Sequence, residues 1–266
     1  MNILHIYHSG VGNTRLVAEQ LHHYINQVCP SQLFTVENAS AEAVTNSQYL
    51  ILGFPTYHCQ PSDSIMKFIE ALPEYPEPKY AFIYTSCGLY PANTLRIFAQ
   101  LCARKNIRVV YDSWYRAPAT DGVLLTPGVK LFKQFPKDMT VRLQIDAKQF
   151  ITRIQNTELL SYIPRFKLYG ILNYPNRYFA LKHKHTIYID DSSCIACGKC
   201  ICNCPQHALS FDEEKHVQFS PKPCESCLRC VHHCPVAAMS IRKNHKPKQL
   251  FDTHFYDVIQ ASWLNK

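Results

Sequence analysis

The 266-residue chain lacks any uninterrupted apolar run of the roughly 18–20 residues that cross a bilayer, so no transmembrane span is expected. Its start lacks a basic segment leading into a long apolar one. The apolar run from Ile3 to Tyr7 ends quickly at a glycine-containing loop, so no secretory signal is read there. A cytoplasmic, reducing setting is the expectation. Charged residues make up only 18% of the chain and apolar ones 47%, a balance that argues against wholesale disorder. The length allows one large domain or two smaller ones, with core enough to need no disulfide staples.

Acidic residues are the scarcer charge: 20 Asp and Glu against 28 Lys and Arg, a formal net charge of +8. The basic excess is local. Residues 153–184 hold six Lys or Arg and one Glu, interleaved with aromatics, as in Ile163-Pro-Arg-Phe-Lys-Leu-Tyr-Gly170 and in Lys182-His-Lys184. No nucleic-acid motif accompanies this charge, so nucleic acid is not among the expected partners. The stretch reads as a linker whose aromatics pack while its charges stay solvated. The alternative is a docking surface for an acidic redox partner or an anionic membrane.

What the chain has in abundance is cysteine, 13 in all, unevenly placed. Cys29, Cys59, Cys87 and Cys102 are scattered through the first 190 residues, and nine more fall between Cys194 and Cys234. In a reducing compartment such density points to metal or redox chemistry rather than disulfides. The dense block is an internal repeat. Cys194-x2-Cys197-x2-Cys200-x3-Cys204-Pro recurs thirty residues later as Cys224-x2-Cys227-x2-Cys230-x3-Cys234-Pro. Three thiolates two residues apart sit on one tight loop and can take three corners of an iron–sulfur cube. Zinc is the alternative, but it prefers two separated Cys-x2-Cys pairs. Cys202 is an extra thiol between ligand positions and reads as a small packing residue.

Over residues 185–243 this pattern resembles the bacterial-type ferredoxins that carry two [4Fe–4S] clusters. The resemblance implies crossed ligation, in which the fourth cysteine of each run serves the other cluster. One cluster would take Cys194, Cys197, Cys200 and Cys234, the other Cys224, Cys227, Cys230 and Cys204. His207, His232 and His233 lie near the ligands and receive no role.

The first 150 residues alternate strand and helix. Strands are expected at Asn2–Tyr7, Gln32–Glu37, Gln48–Phe54, Lys79–Ser86 and Ile107–Trp114. Helices are expected at Asn13–Gln27, Ser62–Leu72, Ala92–Lys105 and Asp146–Leu160. Such alternation implies an α/β fold with a parallel sheet and helices on both faces, and ligands binding beyond the strands' carboxyl ends. The first such loop is Ser9-Gly10-Val11-Gly12-Asn13-Thr14. Its glycines admit a close anion, and its amides and hydroxyls can hold a phosphate. It is no Walker A loop, lacking the lysine. It is no dinucleotide fingerprint either, since Arg15 stands where a third glycine would be.

The loop resembles the phosphate loop of flavodoxins, which binds FMN without a positive side chain; Val11 replaces the usual threonine. That resemblance implies a flavodoxin-like five-stranded parallel sheet and two further flavin loops. One holds Pro55, Thr56 and Tyr57, the other Thr85, Ser86, Gly88 and Tyr90. Tyr57 and Tyr90 are candidates to stack on the ring. Cys59 and Cys87 are read as incidental.

Together the halves resemble a family of flavodoxin–ferredoxin fusion proteins. This implies a flavodoxin-like domain (1–155), a basic aromatic linker (156–184), a small α+β ferredoxin-like domain (185–245) and a tail (246–266) packing back through residues such as Phe251, Tyr256 and Trp263. The implied role is electron transport between FMN, two clusters and redox partner proteins, with no general acid, base or nucleophile assigned. Two other readings stay open. One is a flavin-dependent oxidoreductase acting on a small substrate, with His58, Arg116 or Asp121 as polar candidates. The other is a docking module that has lost FMN.

Overall fold

Period-two alternation in short apolar runs builds the sheet, and 3.6-residue periodicity covers both its faces. The computed structural model describes residues 2–157, 159–173, 178, 186–243, 245–247, 251 and 253–264. Strand β1 (Ile3–Tyr7) pairs in parallel with β2 (Ser31–Thr35) on one side and β3 (Tyr49–Tyr57) on the other. Beyond β3 come β5 (Lys79–Cys87) and β6 (Ile107–Arg116), also parallel. The order β2-β1-β3-β5-β6 is the flavodoxin-like doubly wound arrangement, whose direction of winding reverses between β1 and β3.

Alternate β1 side chains feed two cores. Leu4 and Ile6 join Ile65, Ile69 and Phe98 on the side of helices α3 (Asp63–Ala71) and α4 (Thr94–Ala103). Ile3 and Tyr7 join Leu16, Leu21, Leu143 and Phe150 on the side of helices α1 (Asn13–Asn26) and α6 (Met139–Gln155). Each fully buried side chain of this size contributes about 1.5–3 kcal/mol.

Several boundaries differ from the sequence reading. Strand β3 continues through Tyr57, because residues expected as loop form a hairpin with β4 (Gln60–Pro61), turning at His58 and Cys59 with φ of 48° and 61°. A one-turn helix, α2 (Ala41–Thr45), lies where none was expected; Ser40 caps it by accepting from the Ala43 amide. Helix α6 starts seven residues earlier than expected. Asp146, read as its start, is instead buried within it and accepts hydrogen bonds from the Tyr111 and Tyr115 hydroxyls at 2.7 and 2.6 Å. A fifth short helix, α5 (Gly122–Leu125), follows β6.

After α6 the chain crosses the β6 edge and the start of α4. Tyr162 donates its amide to the Val109 carbonyl, and Asn93 exchanges two hydrogen bonds with Lys167. Of the segment read as a basic linker, residues 158, 174–177 and 179–184 lie outside the described residues; they include Lys182 and Lys184. The cysteine-rich region forms two small antiparallel pairs, β7 (Tyr188–Ile189) with β10 (Met239–Ser240) and β8 (Leu209–Phe211) with β9 (Val217–Phe219).

The sequence repeat is also a backbone repeat. Ala196 and Ser226, Gly198 and Leu228, and His207 and Ala237 are three pairs thirty residues apart, each with positive φ. Ile187, Leu209, Leu228 and Val231 of this region belong to the same apolar cluster as the α1/α6 face of the sheet. So do Phe251, Tyr256 and Trp263 from the C-terminal helix Thr253–Leu264 and its approach. Trp263 meets Phe135 edge to face, with centroids 5.0 Å apart.

Candidate functional site

The carboxyl ends of β1, β3, β5 and β6 surround a cleft, where a doubly wound sheet places its ligands. Ten of the thirteen residues proposed from sequence line it: Ser9, Gly10, Val11, Asn13, Thr14, Pro55, Thr56, Tyr57, Ser86 and Gly88. Gly12, Thr85 and Tyr90 do not. Gly12 holds a φ of 133° that only glycine adopts easily, and faces a Tyr256 ring on the far side of the loop. Thr85 acts from behind, donating to the Phe54 carbonyl and bonding the Thr56 hydroxyl at 2.8 Å. Tyr90 stacks edge-on against Tyr169 rather than lining the cleft. Sequence reading missed the stretch Ala117–Thr120 after β6, which closes the cleft's far wall together with Asp121 and Ser226. His58 and Asp121 line the cleft, whereas Arg116 turns away to the carbonyls of Leu131 and Gln134.

The loop before α1 is held from several directions. The Ser9 hydroxyl accepts from the Arg15 amide, Thr14 bonds Ser86 at 2.8 Å, and the Asn13 side chain donates to the Pro118 carbonyl at 2.8 Å. Among the described residues, the amides of Gly10, Val11, Gly12, Asn13 and Thr14 find no acceptor. Buried amides rarely stay unpaired. A run of them at a helix start fits a phosphate, and among the described residues no lysine or arginine lines the cleft to share that work.

The cysteine-rich module sits directly on this loop. A Cβ at position 10 would overlap the Tyr57 hydroxyl and lie 3.0 Å from the Cys227 Cβ, so glycine is required for the close approach. Arg229 donates to the carbonyls of Ser9 (2.5 Å), Gly10 (2.6 Å) and Asn203 (2.8 Å). His232 and His233 present Nε2 to the carbonyls of Thr120 and Val11 at 3.0 and 3.1 Å. A carbonyl only accepts, so in both rings Nε2 carries the proton.

Beside these contacts lies a buried ion pair. His8 Nε2 is 2.9 Å from Glu225, whose other oxygen accepts from the Ser64 amide and hydroxyl at 3.1 and 3.0 Å. His8 Nδ1 is 3.4 Å from Glu37, an ion-pair distance without hydrogen-bond alignment. Burial pulls the His8 pKa down, but the charge and hydrogen bond of Glu225, with the nearby Glu37 carboxylate adding to them, outweigh it, and the net shift is upward. Glu225 moves the opposite way: burial raises it, and the His8 charge brings it below its usual value. Lys67 and Ser64 both bond Gln206, extending the same seam.

Several of the cluster cysteines lie close enough to act on one another. Burial raises the Cys200 thiol, and the nearby thiols of Cys234 and Cys194 add to the rise. Burial raises Cys230 also, followed by Cys227, Cys224, Cys204 and then Cys200. The Cys204 and Cys234 sulfurs accept the amides of Ala208 and Ala238, each at 3.3 Å, in equivalent places of the repeat. Among the described residues, no three His, Cys, Asp or Glu side chains converge as a single metal ion requires. The four cysteines around a [4Fe–4S] cube each hold a different iron, a wider grouping. No helix among the described residues is long and apolar enough to cross a membrane.

Residues 187–241 match the family model of the 4Fe-4S dicluster domain. No curated protein matches the chain. Among solved structures, the chain is similar to the two-electron reduced flavodoxin of Megasphaera elsdenii, at 16% identity over 55% of this chain and 98% of that one, with a TM-score of 0.43. It is similar to oxidised Flavodoxin 1 of Bacillus cereus at 14% identity, over 57% and 98%, with a TM-score of 0.43. It is also similar to rubredoxin oxygen:oxidoreductase of Desulfovibrio gigas at 14% identity, over 60% and 37%, with a TM-score of 0.45. The sheet's own strand order, rather than these likenesses, carries the fold assignment.

Proposed function

We propose that this chain, a flavodoxin-like α/β unit joined to a 4Fe-4S dicluster domain, transfers electrons between an FMN in the cleft, two [4Fe–4S] clusters and redox partner proteins. The observation that carries the proposal is the packing of Cys227 against Gly10. One of the proposed cluster ligands touches the loop that would hold the flavin phosphate, so the two redox groups would sit side by side in one body.

The residues present fit both groups. The unpaired amides of residues 10–14 and the hydroxyls of Ser9 and Thr14 suit a phosphate. Val11 lacks the usual threonine hydroxyl but keeps its amide. Tyr57 lines the cleft with its hydroxyl buried against the loop and is the better placed of the two stacking candidates. Cys234 lies near Cys200 of the first run and Cys204 lies near Cys230 of the second, and that approach of each fourth cysteine to the other run supports the crossed ligation, though Cys200 and Cys230 also neighbour each other. When bound, FMN would supply one- or two-electron chemistry and each cluster one-electron chemistry. The protein's part is to hold them close, exclude water and present an outlet. Cys227 is buried, whereas Cys197 and its neighbour Ile195 are exposed. The Cys194–Cys200 loop is therefore the side on which a partner protein would exchange electrons.

Anaerobically purified protein should contain about eight irons and eight sulfides with one FMN, and reduction should give EPR signals from both clusters. Stoichiometric zinc without sulfide would overturn the cluster assignment. A flavin-dependent oxidoreductase is the second reading, favoured by His58 and Asp121 on the cleft wall. Turnover of a small acceptor by the isolated protein would select it over the carrier.

A further inference from the structure

We infer that Arg229 and His233, from the iron–sulfur module, are positioning residues that set the phosphate loop for its anion. The inference rests on the reading of the cleft as an FMN site. Arg229 holds the carbonyls of Ser9 and Gly10, and His233 holds that of Val11. These are three consecutive peptide units. In a planar trans peptide, the carbonyl of one residue and the amide N–H of the next point in opposite directions. Fixing the carbonyls of residues 9, 10 and 11 on the module's side therefore turns the amides of Gly10, Val11 and Gly12 away from it. Those are three of the five loop amides without an acceptor.

The cavities on either side of the loop agree. Arg229, His233 and Tyr256 line a hollow on its outer side together with Gly12, and none of the three lines the cleft. Among the described residues the cleft offers a phosphate no lysine or arginine, so its affinity depends on how well the amides converge. A guanidinium bonded to two loop carbonyls also polarises the peptide units whose N–H groups face the anion. Arg229 reaches the Asn203 carbonyl as well, one residue before the cluster cysteine Cys204. The same side chain thus ties the loop to the backbone of the cluster module, and flavin affinity should depend on that module being in place.

Riboflavin, which lacks the phosphate, separates this role from a merely structural one. Flavin titrations would use full-length, cluster-loaded protein from which flavin has been removed. R229K keeps the charge beside Cys230 but lacks the fork that spans two carbonyls; H233A removes the third contact. Each should weaken FMN binding by roughly 10- to 100-fold, within the usual range for coupled sites, and riboflavin binding by less than about threefold. Iron, sulfide and the EPR signals should match wild type in at least one of the two variants, which is then the one read. Equal losses for FMN and riboflavin, unchanged FMN affinity, or cluster loss in both variants would overturn the inference. Wild-type protein that takes up no FMN would overturn the FMN reading itself, a separate outcome.

Discussion

At the scale of single residues, the site is governed by close approach and by one buried ion pair. Gly10 stands where any side chain would strike Tyr57 and Cys227. Gly10→Ala should displace the loop, cost about 1–3 kcal/mol by overpacking and lower bound flavin, as read by denaturant unfolding and flavin content. His8 makes stability depend on pH. Its folded pKa is raised above the ordinary 6.5, so its contribution is complete below that value and is lost as pH rises through the folded value. Its partner Glu37 is held down to about 2: burial pushes it up, but the neighbouring His8, its own backbone amide and Thr35 prevail. The Glu37 contribution is present above its ordinary 4.5 and is lost as pH falls toward 2. Wild type should therefore exceed His8→Asn in stability most clearly between about pH 4.5 and 6.5. The difference should shrink on either side in unfolding curves taken across pH.

At the scale of elements, α6 shows how a helix can bury a carboxylate. Its apolar positions Met139, Leu143, Ala147, Phe150 and Ile154 face the sheet, and Asp146 sits among them because two tyrosines from β6 donate to it. Asp146→Ala would leave both hydroxyls without their acceptor and should cost about 2–4 kcal/mol, measured by urea unfolding; Phe replacing both tyrosines should recover part of that loss. The helix was half legible in sequence. Its apolar spacing is regular, but an aspartate in mid-run reads as a cap until its partners, 31 and 35 residues away, are known. The C-terminal helix is similar: its aromatics announce packing, and only the fold shows Tyr256 donating to Asn13 behind the phosphate loop.

At the scale of the whole molecule, the two units share an apolar core and a polar seam. Removing iron anaerobically with a chelator should loosen the module and release flavin together with the clusters, followed by absorbance and by filtration of free flavin. Flavin retained at full occupancy after complete iron loss would show that the cleft stands without the module. The seam joins residues more than 200 positions apart, as in His8 to Glu225 and Arg229 to Ser9. No spacing rule reaches across such a separation.

The sequence by itself determined the chemistry that is local: which cysteines lie on common loops, where strands end in glycine-bearing turns, and that one loop can hold a phosphate without a cation. These follow from steric rules acting over a few residues. Only the tertiary structure decided that the module docks on the sheet's carboxyl edge. It turned Arg229 and His233, unremarkable beside cluster ligands, into donors for the phosphate loop, and it moved Tyr90 away from the cleft. Docking of this kind is a sum over many distant apolar and polar contacts, and a side chain's partner is fixed only once both surfaces exist.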